Sequence, residues 1–141
     1  MKKLLESLCI LLALTATASA APAITISDAW FRFLPAGLPA GGYFTAHNAG
    51  KSDLAITGAQ SAACGMLMLH QSSDKGGMSG MDMVAKVPLP AGGTARFTPG
   101  GYHLMCMQPK MKIGAMLPVV LQLSDGTSVA ARFAVKDARG K

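Results

Sequence analysis

His70, Met81, His103 and Met105 are two imidazoles and two thioethers at the spacing His-x10-Met-x21-His-x-Met. Thioether sulfur is a soft donor suited to Cu(I), and imidazole nitrogen also serves copper. Methionine coordinates without losing a proton and cannot be consumed by disulfide formation, so this donor set fits an oxidising compartment. The N-terminus agrees with that compartment. Lys2 and Lys3, an apolar run from Leu8 to Leu14 and the small residues Ala18-Ser19-Ala20 follow the order of a secretory signal peptide over 1–20, with the mature domain over 21–141. Cys9 falls inside that leader, well ahead of the cleavage site, so no lipid anchor is expected and the mature chain keeps Cys64 and Cys106. No other run approaches the roughly 20 apolar residues of a transmembrane helix. A soluble periplasmic protein is expected.

The elements that must position these donors are short. Apolar and β-branched residues come in runs broken by Gly, Pro and Asn, without a helical period, which is the rhythm of an all-β domain. Strands are expected at Ile24 to Ile26, Ala29 to Phe33, Tyr43 to Asn48, Leu54 to Ala59, Met66 to His70, Met81 to Val87, Thr94 to Phe97, Tyr102 to Met107, Val119 to Leu123 and Val129 to Val135. The Asp125-Gly126 pair between the last two is a hairpin signal. So many short strands in one domain imply a two-sheet sandwich with Greek-key connections.

Alternation along a strand then sorts the side chains. Over Tyr102 to Met107, the residues Tyr102, Leu104 and Cys106 face one way while His103, Met105 and Met107 face the other. Over Met66 to His70 the same parity turns Leu67 and Leu69 inward and leaves Met66, Met68 and His70 on the opposite face. All nine mature methionines lie between Met66 and Met116, a clustering that random core filling would not produce. Gln71 to Gly80 is polar and glycine-rich and reads as a loop, so Met78 and Met81 are expected on or beside a flexible exposed segment.

At these residues the chain resembles the periplasmic copper chaperone A family, whose signature is the same His-x10-Met-x21-His-x-Met. The resemblance extends to Asp28-Ala-Trp30, Gly42-Tyr43-Phe44 before Asn48, and Pro90-Ala-Gly92-Gly93 leading to Pro99-Gly100-Gly101-Tyr102-His103-Leu104-Met105. It implies a cupredoxin-like β-sandwich holding Cu(I) near its surface, with His70, Met81, His103 and Met105 as metal ligands. It also implies delivery of copper to the binuclear centre of cytochrome c oxidase subunit II, beside a Sco-type thioredoxin-fold copper chaperone. Met68, Met78, Met83 and Met107 are auxiliary candidate donors, since together with Met66 they give more thioethers than the signature needs. Many relatives carry a Met- and His-rich tail. This chain ends in Lys136-Asp-Ala-Arg-Gly-Lys141 with neither residue, so one principal copper per monomer is expected.

Other functions find less support. Without its leader the chain falls from 13 to 11 basic and from 7 to 6 acidic residues, leaving a net charge of +5 in scattered positions. A nucleic-acid surface would need a dense basic stripe with interleaved aromatics. No carboxylate pair, Ser-His-Asp set or phosphate loop is present, so no enzymatic activity is expected. A blue-copper electron-transfer site would need two His, a Cys thiolate and an axial Met. His47, Cys64, His70 and Met78 stand in that order, but Cys64 and His70 would be separated along one strand. Copper sequestration for tolerance would use the same donors without a dedicated acceptor. His47, beside Asn48 at a turn, reads as a surface histidine, and Trp30 and Tyr43 as packing residues. Strand parity sends Cys64 and Cys106 to opposite faces, so a disulfide between them is not expected.

Overall fold

The computed structural model describes residues 23–141, so the leader and its cleavage site lie outside the described residues. Ten strands and no helix occur among them: β1 (Ile24–Arg32), β2 (Ala40–Asn48), β3 (Leu54–Gln60), β4 (Met66–Lys75), β5 (Met78–Met83), β6 (Val87–Leu89), β7 (Thr94–Phe97), β8 (Tyr102–Met107), β9 (Met116–Leu123) and β10 (Ser128–Lys136). Their pairing order is β5-β4-β8-β7-β2-β1-β10-β9-β3-β6, and β8 also pairs with β2. β4 meets β8, β2 meets β7 and β3 meets β9, non-sequential pairings of the kind a Greek key requires. β3 packs against β4 and β6 against β7, so the ends of this long sheet fold over a shared core. The expected all-β sandwich is what forms.

Four phenylalanines fill its centre. Phe44 stacks on Phe97 at 4.1 Å and meets Phe133 edge-on at 5.6 Å, while Phe31 lies 5.1 Å from Phe133. Each is essentially inaccessible to solvent, and burying such a side chain is worth roughly 1.5–3 kcal/mol. Asn48 is the one fully buried polar residue of the described chain; its amide donates to the carbonyls of Ser52 and Leu89, and its Oδ1 accepts from the Gly50 N–H. The turn residue read in the sequence therefore also ties the end of β2 to β6.

Three departures from the expected strands have local causes. Ile24 to Ile26 and Ala29 to Phe33 are one strand, interrupted by a bulge between Ser27 and Trp30 where Asp28 takes φ 52°. Gln71 to Gly80 is not a loop: β4 runs on to Lys75 and pairs residue by residue with β5, turning through Gly76 and Gly77 at φ 65° and 81°. Those angles belong to a two-residue type I′ turn, which glycine accommodates at no steric cost. The arm is polar because it extends beyond the core, so its composition imitates a loop. Conversely, Met81 to Val87 is not one strand. β5 ends at Met83 on one edge of the sheet, and β6 starts at Val87 on the other.

Cys64 and Cys106 are bonded, with Cα atoms 5.3 Å apart and a sequence separation of 42. The parity expectation failed because Cys64 precedes β4. It sits in a turn where its N–H donates to the Ser61 carbonyl, and the neighbouring Gly65 N–H donates to the Met107 carbonyl. Alternation that begins at Met66 does not reach it.

Candidate metal centre

β4 and β8 pair antiparallel so that His70 stands opposite His103 and Met68 opposite Met105. Directly opposed residues project to the same face of a sheet, so the parity read in the sequence is carried through into space. The two imidazole centroids lie 5.8 Å apart in an edge-on arrangement. On the outer side of β4, Met83 opposes His70 and Met81 opposes Ser72. A cleft of about 400 Å³ is lined by Met81, His103, Met105 and Ser72 on one side and by Arg32, Leu38 and Tyr43 on the other. Met78 lies at the turn end of the arm, opposite Lys75 and away from the histidine rung.

The imidazoles have lone pairs to offer. His103 Nδ1 lies 3.1 Å from the Gly101 carbonyl, which can only accept, so Nδ1 carries the proton and Nε2 is the bare nitrogen. That Nε2 and His70 Nδ1 are both buried without a hydrogen-bond partner in the protein. A buried polar atom left in this condition costs about 1–3 kcal/mol, which binding of an electrophile would recover. A backbone carbonyl that fixes the tautomer of a donor histidine is the usual support for metal ligation. Burial, and secondarily the neighbouring His103, hold the His70 pKa below its ordinary value of 6.5, keeping its ring neutral.

Among the described residues no three His, Cys, Asp or Glu side chains gather as a metal cluster. Any ion held by both histidines here must therefore complete its shell with thioether sulfur or with ligands from outside. Met105 is half-buried in the cleft and Met81 is 59% exposed at its rim.

Sequence reasoning missed the opposite wall. Arg32 stacks its guanidinium over Trp30 at 5.7 Å and Tyr43 at 5.3 Å, and these two rings are themselves 4.9 Å apart. Gly41 leaves the room that the Tyr43 hydroxyl occupies, since a Cβ there would lie 2.6 Å from it. The alternation Trp30-x-Arg32 beside a glycine pair was the available signal. His47 is exposed and its ring lies 3.1 Å from the Thr94 hydroxyl, a surface residue as expected. Cys64, being bonded to Cys106, offers no thiolate, and the electron-transfer arrangement lapses with it.

Fold and cleft together define a small β-sandwich with soft sulfur and nitrogen donors on one face of an edge hairpin and its neighbouring strand. The family model described as "Putative lipoprotein LpqE-like" matches residues 24–135, and the chain belongs to this LpqE-like family. "Putative lipoprotein Lxx21020" of Leifsonia xyli subsp. xyli is 32% identical over 123 residues, covering 85% of this chain and 74% of that protein. Among solved structures, the copper-bound PCuAC domain from PmoF2 superposes with a TM-score of 0.69 at 21% identity, covering 84% of this chain and 97% of that one. The Cu(I) form of DR1885 from Deinococcus radiodurans gives 0.66 at 29% identity, covering 84% and 81% respectively. The fold is thus the cupredoxin-like fold of PCuAC domains, in agreement with the resemblance drawn from the sequence.

Proposed function

We propose that this chain is an exported, periplasmic copper chaperone that binds Cu(I) through His70, Met81, His103 and Met105 and passes it to the copper centre of cytochrome c oxidase subunit II, directly or through a Sco-type protein. The observation that carries this reading is the pair of buried, unpartnered ring nitrogens on one rung of the sheet, with Met105 and Met81 lining the cleft beside His103. Support comes from the solved relatives, one described as copper-bound and one as a Cu(I) form.

The chemistry favours the monovalent ion. Four neutral donors leave copper its single charge, and the thioethers prefer Cu(I) to harder cations. Arg32 adds a fixed positive charge to the cleft wall, and its Coulomb repulsion of Cu(II) is twice that of Cu(I) at the same distance. The donors also allow release without proton transfer, because no thiolate has to be neutralised. Met81, on the exposed arm, is the first donor an acceptor can displace.

The test is transfer in solution. Cu(I)-loaded mature protein mixed with the soluble domain of subunit II should lose its copper to that domain. A His103→Ala variant should bind Cu(I) on the order of 100-fold more weakly, since a removed ligand exceeds the 10–100-fold effect of a lost supporting contact. Parent-like Cu(I) affinity in that variant would overturn the site, and retention of copper by the parent would overturn delivery in favour of sequestration.

A further inference from the structure

Of the rungs of the β4–β8 pair beyond the histidines, the proposed site uses only Met105. On the face that carries His70 and His103, the next rung is Met68 opposite Met105 and the one after is Met66 opposite Met107. All six positions on this face of the three rungs are therefore nitrogen or thioether donors. The alternating rungs on the other face are Leu67 opposite Cys106 and Leu69 opposite Leu104, of which Leu69, Leu104 and Cys106 are buried in the core. The methionines are not there to fill that core. Met66 is 58% exposed and Met107 36% exposed, at strand positions where β-branched or charged residues are the ordinary choice.

The outer rung is also open at its side. β5 pairs with β4 only as far as His70, so no paired strand flanks Met68 or Met66 there. Directly opposed residues have Cβ atoms roughly 4.5–5.5 Å apart, and methionine has three rotatable bonds with which to turn two sulfurs toward one ion.

We infer that Met66 and Met107, with Met68 as a third donor, form a second, all-thioether Cu(I) site at the end of this ladder. The inference rests on the copper reading above only for the identity of the metal. An ion passing between the sites exchanges one neutral thioether for another across the Met68–Met105 rung. Copper stays monovalent, and neither a proton nor an electron changes hands. The expected single copper thus becomes two positions on one track, the outer one exposed to an acceptor.

The experiment uses the mature chain with Ag(I) as a redox-silent probe of soft sites, followed by the methionine ε-methyl signals in NMR, and Cu(I) uptake counted against a chromogenic competitor. The expected result is two equivalents of Cu(I) per chain, with the Met66 and Met107 methyls shifting during the second equivalent of Ag(I). A Met66→Leu/Met107→Leu variant, apolar and of similar volume at exposed positions, should fold as the parent does and lose only the second equivalent. A His70→Ala/His103→Ala variant should still show the Met66 and Met107 shifts, which separates failure of the histidine site from failure of the ladder. Methyl signals of Met66 and Met107 that stay unmoved through two equivalents, or a second equivalent retained by the double Leu variant, would overturn the inference.

Discussion

The two histidines do unequal work. His103 is oriented from behind, its Nδ1–H held by the Gly101 carbonyl, so that Nε2 points free. His70 has no such brace and owes its neutral ring chiefly to burial, with the neighbouring His103 adding to the effect. This sets a pH dependence. Because the His70 pKa is lowered on folding, the unfolded chain takes up its proton first as pH falls. The stability from neutral His70 is fully present above 6.5 and is lost as pH falls from there through the lowered folded value. Copper binding follows the same direction, since a protonated ring cannot coordinate. Cu(I) affinity of the mature protein should be flat above pH 7 and should weaken only below about 6.5. Competition titrations across that range check it, and an affinity unchanged at pH 4 would exclude imidazole ligation.

At the scale of elements, the donors depend on the β4–β8 pair staying in register, because a one-residue slip would turn every donor inward. Besides its ladder of hydrogen bonds, that pair has a covalent staple. The Cys64–Cys106 bond encloses His70, Met81, His103 and Met105 within one loop. Closing a loop of this length stabilises the folded chain by about 4 kcal/mol on chain-entropy grounds, and measured values run at roughly 2–4. A Cys64→Ala/Cys106→Ala variant should lose stability of that order in urea unfolding yet, once folded, keep its Cu(I) affinity. A collapse of affinity in the folded variant would mean that sulfur from these cysteines matters to the metal. Strand alternation sorted the facing of these side chains correctly because Met66 to His70 and Tyr102 to Met107 are regular paired strands with one face on the core. It misplaced Cys64, which lies before the first paired residue, and it took the β4–β5 arm for a loop, since a two-stranded arm beyond the core shows no apolar face to read.

For the molecule as a whole, the fold class was legible because turn residues punctuate the chain at strand-length intervals. Its pairing order was not, since long-range partners such as β3 with β9 leave no local mark. The donors converge through exactly such a partnership, β4 with the distant β8, and through one local hairpin, β4 with β5. The wall formed by Arg32 and Tyr43 escaped notice for a similar reason. β1 supplies Arg32, with Trp30 packed against it, while β2 supplies Tyr43, and only the folded sheet brings Arg32 and Tyr43 to the cleft that Met105 also lines. In the proposed function these separate strands gather uncharged nitrogen and sulfur around one monovalent copper. X-ray absorption of the mature protein loaded with a single equivalent of Cu(I) tests it most directly. The shell should contain both imidazole nitrogen and thioether sulfur, and a shell of nitrogen and oxygen alone, without sulfur, would contradict it.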